Sequence, residues 1–398
     1  MTASPLPNDA GLARKGVRAQ IQDLRTENIA EFAVRARELG DVIPLWYGEG
    51  DLVTPPFVRE AAKRALDEGL TFYIPDMRGH GPLTEALADY QSRLHGRPIG
   101  RTRSTVTPGG MQALFVALDL IVDLGTNVVV IEPQWPNVIN AVETIGGQAR
   151  PVAMRFDTDW RLDLEKVFAA CDARTRAIFL STPCNPTGWT ATRAELEALV
   201  AFGRRTGIWI ISDEVYNRLA FDGPDAAPSI LSVAEPEDRV MTINSFSKAW
   251  AMTGWRIGWI THPDSVAPEL AAMTQYINSG TAGFVQAGAR AAIVEGEPLV
   301  AEVRGRVKAG LDLAYARLSR APKIALPDKP RGGMYAFFQL EGETDASAAC
   351  RLVLERARVG LAPGHLFGEA SRSFLRLCVF RDAAVLEQAL DRMVEALA

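Results

Sequence analysis

Cysteine is scarce in this chain of 398 residues: Cys171, Cys184, Cys350 and Cys378 stand far apart and form no CxxC pair. That spacing argues against a disulfide-stapled secreted scaffold and against a structural zinc site. Histidine is equally rare. His80, His95, His262 and His365 show no HExxH spacing, so a metal hydrolase has little support and no metal is expected. Charge of one sign is missing as well. The 43 lysines and arginines against 48 aspartates and glutamates give a net charge of -5, with no long basic run. Phosphate neutralisation needs a concentrated basic face, so nucleic acid is not expected as a partner. No apolar run is long enough to cross a bilayer, and the first sixteen residues lack the apolar stretch of a signal peptide. A cytoplasmic protein without a membrane partner is the expectation.

What the chain does contain is alternation. From about residue 61 to residue 258, short runs rich in valine and isoleucine alternate with amphipathic stretches. The runs at 127–133, 176–183, 207–214 and 239–247 look like strands buried on both faces. Between them, residues 192–206 place apolar side chains at Leu196, Leu199, Val200 and Phe202, a helical pattern. This order predicts an α/β fold with a mostly parallel, doubly wound sheet. After about residue 288 the texture changes to a long helical segment and two strand-like pieces, 334–340 and 373–380, as in a smaller α+β domain. The expected division is an N-terminal arm over 1–55, a large domain over 56–288 and a small one over 289–398. Ligands of such sheets gather at the carboxyl ends of the strands. Asn185, Asp213, Tyr216 and the segment from Ser245 to Lys248 all fall there.

The segment from Ser245 to Gly258 carries the strongest chemical signal. Lys248 follows two hydroxyls, Ser245 and Ser247, and precedes Arg256 by eight residues. Two cations so close disfavour one another unless a dianion lies between them or the amine is uncharged. A free lysine titrates near about 10.4, so a neutral amine needs a special environment. A phosphate-bearing aldehyde satisfies both conditions: the amine is consumed as an imine, and the phosphate lies near Ser245 and Arg256.

The SxSKxxxMTGWRxG pattern closely resembles the lysine segment of class I/II aminotransferases, the fold-type-I pyridoxal-phosphate enzymes of the aspartate aminotransferase superfamily. The resemblance runs from about residue 44 to residue 376. It includes, in family order, a tyrosine segment at Tyr73, a Gly-Gly turn, Trp135, the NPTG of Asn185, the DEVY of Asp213 and Tyr216, and a late Arg376. It implies a seven-stranded sheet, pyridoxal 5'-phosphate as cofactor and Lys248 as its Schiff-base and proton-transfer residue. Asp213 then keeps the pyridine nitrogen protonated, and Tyr216 and Asn185 contact the ring phenolate oxygen. Gly110, Met111 and Gln112, at a strand-to-helix junction, look like the phosphate cradle, and Trp135 matches the aromatic that stacks on the ring. Arg376 is a charge inside an apolar strand. The resemblance makes it a bidentate clamp on the substrate carboxylate, with Gly48, Asn185 and Trp135 lining that pocket. Tyr73 matches a tyrosine that reaches the phosphate of a neighbouring subunit, which implies a homodimer.

The activity so implied is ping-pong transamination between an L-amino acid and a 2-oxo acid. Relatives that take acidic substrates often carry a lysine where this chain has Met111, or an arginine in the loop at 275–284. Neither is present, and no lysine or arginine occurs between Ile257 and Ala289. With Trp46, Tyr47, Tyr276, Phe284 and Met334 as expected neighbours, a neutral, apolar or aromatic donor is predicted. Arg78 is the residue that threatens this expectation. The alternatives are an aspartate-type aminotransferase and a C–S (β) lyase that uses the same cofactor. A regulator that has kept the fold is disfavoured, because such proteins carry an added DNA-binding domain.

Overall fold

The structure is a computed structural model that describes residues 17–22, 24, 29–223 and 225–397. The first sixteen residues, on which the signal-peptide expectation rests, lie outside it. Seven strands form the main sheet: β1 (Ser104–Thr107), β2 (Asn127–Glu132), β3 (Gln148–Ala153), β4 (Thr175–Ser181), β5 (Trp209–Asp213), β6 (Val240–Ser245) and β7 (Gly258–Thr261). Their spatial order is β1-β7-β6-β5-β4-β2-β3. All run parallel except β7, which is antiparallel to both its neighbours. The valine- and isoleucine-rich runs form the centre of this sheet, and β2 is buried at every position. Helices cover both faces, which is why these strands show no polar alternation.

Local signals end the elements where chemistry requires it. Helix Arg193–Thr206 begins one residue later than its apolar pattern suggests, because Thr192 is its cap. The Thr192 hydroxyl accepts from the Glu195 amide at 3.3 Å, and the Glu195 carboxylate accepts from the Thr192 amide at 2.7 Å. Gly207, with φ of 76°, closes the other end.

A second, antiparallel sheet has the order β8-β9-β11-β10, from β8 (Ile324–Ala325), β9 (Tyr335–Leu340), β10 (Ala362–Pro363) and β11 (Phe374–Cys378). Only β9 and β11 stand out in the sequence. The other two are two residues long and show no periodicity. Two contacts tie the early chain to this sheet. Ile43–Pro44 pairs in parallel with Val359–Gly360, and the Cys378 amide donates to Leu45 O at 2.8 Å. Residues 46–49 are thereby laid beside Arg376, the middle residue of β11.

Candidate active site

The carboxyl ends of β1, β4, β5 and β6 open on one cavity of about 520 Å³. The connection from β6 to β7 carries Lys248 across its floor. The Lys248 Nζ donates to Gly48 O at 2.6 Å and stands 5.7 Å from the centre of the Tyr216 ring. Burial pulls this amine from its ordinary 10.5 down to about 8; the Arg376 and Arg256 guanidiniums act in the same direction, and Cys378 and Glu49 oppose them.

Asp213 is the last residue of β5 and is buried. Burial raises its carboxyl to about 6, against the pull of the Val215 amide and of Lys248. A desolvated carboxyl of this kind is a strong acceptor for a cationic N–H. No α-helix follows β5; Asp213 Oδ1 accepts from the Val215 amide at 3.2 Å and turns the chain. Glu214 beside it points away from the cavity, where Oε1 accepts from the Ser212 hydroxyl and the Ile230 amide, both at 3.0 Å.

The glycine turn after β1 faces the end of the lysine loop. Gly109 has φ of 88°, and a Cβ there would lie 2.5 Å from Arg256 Nη2. Only glycine lets the backbone come so close to this guanidinium. Helix Gly110–Asp119 starts at the same point with its first amides free of internal partners. Ser245 Oγ, buried, donates to Ser247 Oγ at 2.9 Å. Together they make a concave, positively polarised corner.

On the opposite wall, Arg376 is buried against two rings, 4.4 Å from the centre of Tyr335 and 4.6 Å from that of Phe367. Its hydrogen bonds go to Asn185 Oδ1 at 2.7 Å and Trp46 O at 2.6 Å. Both acceptors are uncharged, and the Arg376 Nε has no partner. A buried guanidinium held this way keeps most of its attraction for a carboxylate.

Most of the residues picked out in the sequence meet here. Lys248, Asp213, Tyr216, Asn185, Ser245, Arg256, Gly110, Met111, Trp135, Gly48 and Arg376 all line the one cavity. Gln112 does not line it, since it lies one residue further along its helix. Tyr73 and Tyr276 are on the surface, 82% and 85% exposed, and do not line the cavity. Phe284 and Met334 also lie outside its lining, and Trp46 contributes its carbonyl, with its ring packed against Gly360. Arg78 faces a separate surface concavity, where Asp76 engages it at 3.0 and 2.9 Å.

Sequence reasoning missed Tyr335 and Phe367, the aromatic pair beside Arg376, and also Ile29, Glu49, Asn137 and Leu366, which are part of the lining. Nothing in their local sequence marks them. The arginine inside β11 was the one available hint, because a buried guanidinium needs flat apolar neighbours.

Comparison with known proteins places the chain in a family. The family model for aminotransferase class I and II matches residues 41–396. The chain belongs to the class I and II aminotransferases. It is therefore an enzyme, an aminotransferase that depends on pyridoxal 5'-phosphate. It is similar to an aspartate aminotransferase of Pyrococcus horikoshii, 30% identical across 94% of this chain and 95% of that one. An aromatic-amino-acid aminotransferase of Thermococcus litoralis is 31% identical, over 91% and 93% of the two chains. The solved aspartate aminotransferase of Thermotoga maritima superposes with a TM-score of 0.88 at 32% identity, over 95% and 99%. The fold is that of these aminotransferases.

The cavity suits such a cofactor on its own chemistry. It offers a neutralisable amine, a desolvated carboxyl for a ring N–H, a flat aromatic at Trp135 and the Gly110–Ser245–Arg256 corner for a dianion. A bulkier residue at 109 would close that corner.

Proposed function

We propose that this aminotransferase takes neutral, apolar or aromatic L-amino acids as donors, with Lys248 as the residue that binds the cofactor covalently and moves the proton. The cofactor, when bound, supplies an electron sink for the substrate α-carbon. The chain does the rest. Arg376 and Asn185 hold the α-carboxylate so that the α-hydrogen faces Lys248 Nζ. Lys248, released from its covalent link, takes that proton and returns it one position away. Asp213 keeps the ring N–H charged, while Tyr216 and Asn185 donate to the ring oxygen. Gly110, Met111, Ser245 and Arg256 hold the phosphate.

One observation carries this reading: a buried amine near pH-neutral poise stands in the same cavity as a desolvated acid and a buried, incompletely bonded arginine. Such perturbed groups cluster where chemistry occurs.

Donor preference follows from the inventory of charge. The only cations lining the described cavity are Lys248, Arg256 and Arg376, and each already has a task. Within one subunit none is left for a distal carboxylate, and Arg78 is occupied by Asp76. Ile29, Leu366 and Phe367 add apolar surface.

We further propose a cytoplasmic homodimer in which Tyr73, too far outside its own cavity to serve there, reaches the phosphate corner of the second copy. Residues 56–288 form the cofactor-bearing unit, and residues 1–55 with 289–398 the smaller one. The described residues contain no helix long and apolar enough to cross a membrane.

Borohydride reduction of the yellow enzyme, followed by peptide mapping, tests the covalent assignment; label anywhere but Lys248 refutes it. A donor panel tests the preference, with leucine, methionine and phenylalanine expected to outrun aspartate. Pyruvate and ammonia released without any acceptor would mean a lyase instead.

A further inference from the structure

Tyr335 lies outside every motif of the sequence, yet it touches three separate parts of the site. It is buried at the start of β9. Its hydroxyl is 2.7 Å from the Tyr216 hydroxyl. Its ring is one of the two that lie against Arg376. Its hydroxyl also presses on Gly48, where an added Cβ would sit 2.0 Å from it; Gly48 O is the acceptor for Lys248.

A pair of hydroxyls shares one proton between them and leaves the second to point elsewhere. For Tyr335 the choice is narrowed, because its hydroxyl presses on Gly48 and Tyr216 is its one hydrogen-bond partner among the described residues. Both tyrosines line the cavity, and Tyr216 is the one whose ring stands 5.7 Å from Lys248 Nζ. One arrangement that satisfies both protons has Tyr335 donating to Tyr216 and Tyr216 aiming its own proton toward the Lys248 side of the cavity. Donation received at an oxygen makes that hydroxyl a better donor in turn.

We propose that Tyr335 is a positioning residue that couples the two walls of the site. Its hydroxyl orients and strengthens Tyr216 as a donor toward the cofactor, and its ring face fixes the plane of the Arg376 clamp. The inference rests on the cofactor assignment above and adds to it a residue that acts through Tyr216 and Arg376.

The two limbs separate by substitution. Tyr335→Phe keeps the ring and deletes the hydroxyl. In the cofactor-loaded enzyme, the pH midpoint of the visible-absorbance change should rise by about half a unit to one unit, because one hydrogen bond to Tyr216 is lost. Affinity for 3-phenylpropionate, a carboxylate with no amine to react, should stay within about twofold. Tyr335→Leu should show the same midpoint shift and bind that probe about tenfold more weakly, having lost a desolvated cation–π face. An unmoved midpoint in Tyr335→Phe overturns the hydroxyl limb, and unchanged probe affinity in Tyr335→Leu overturns the ring limb. Should the leucine variant fail to fold, Tyr335→Met, which fills the space with an unbranched apolar chain and no ring, is the second variant for ring loss. If it weakens the probe and Tyr335→Phe does not, the ring limb stands; equal affinity in both rejects it. Borohydride label on a residue other than Lys248 in the wild type would remove the cofactor assignment itself, whereas label on Lys248 with an unmoved midpoint in Tyr335→Phe removes only this inference, so the two failures are distinguishable.

Discussion

The two walls of the cavity are built by different means. The cofactor wall comes from strand ends of one sheet: Ser245 closes β6, Lys248 follows three residues later, and Asp213 closes β5. The carboxylate wall is assembled over long distances, since Arg376 bonds Asn185 across 191 positions and Trp46 across 330. A parallel sheet places its carboxyl ends together as a consequence of its topology. A clamp drawn from three remote segments exists only after both sheets have docked. The first wall is therefore local and rigid, and the second depends on packing between layers.

Substitutions can break this contrast, because changes in one wall should leave the signature of the other intact. Lys248→Met carries the largest expected effect: a loss of turnover of roughly 10⁴-fold or more together with loss of the reducible visible band. Asp213→Asn comes next, with kcat lower by about 10³-fold and an altered spectrum. Arg376→Lys keeps the charge and forfeits the planar fork. Its kcat/KM should fall by about 10²-fold with the resting spectrum unchanged. A changed spectrum in Arg376→Lys would mean that the two walls are coupled by more than the Tyr335 hydroxyl.

The smallest effect is on stability and sharpens the account of Lys248. Its folded value, about 8, lies below the ordinary 10.5, so between those limits the unfolded chain holds more protons than the folded one. Stability from this group is therefore lowest below about pH 8 and rises as pH climbs toward 10.5. Cofactor-free Lys248→Met should melt a few degrees above the cofactor-free wild type at pH 7, with the gap closing toward pH 10.5. A gap that is constant across that range would show that the amine is not desolvated.

Legibility follows the same divide. The central strands were readable because burial on both faces leaves only apolar residues, and the lysine loop was readable because its odd charge pattern demands an explanation. Strands β8 and β10 were not, since two residues carry no period. Met334, Tyr276 and Phe284 illustrate the converse error: an apolar residue near the right place in the chain need not face the cavity. Arg78 was a threat only while Asp76, two positions away, was not seen to hold it.

By itself the order of residues determined a parallel α/β sheet, an unusual amine at Lys248 and an acid at Asp213, because each of these is dictated by neighbours close in the chain. Which aromatic rings lie against Arg376, which carbonyl receives Lys248 and where Tyr335 directs its hydroxyl were decided only when segments hundreds of positions apart packed together. Close packing fixes such contacts to fractions of an ångström, and no one-dimensional pattern encodes that fit.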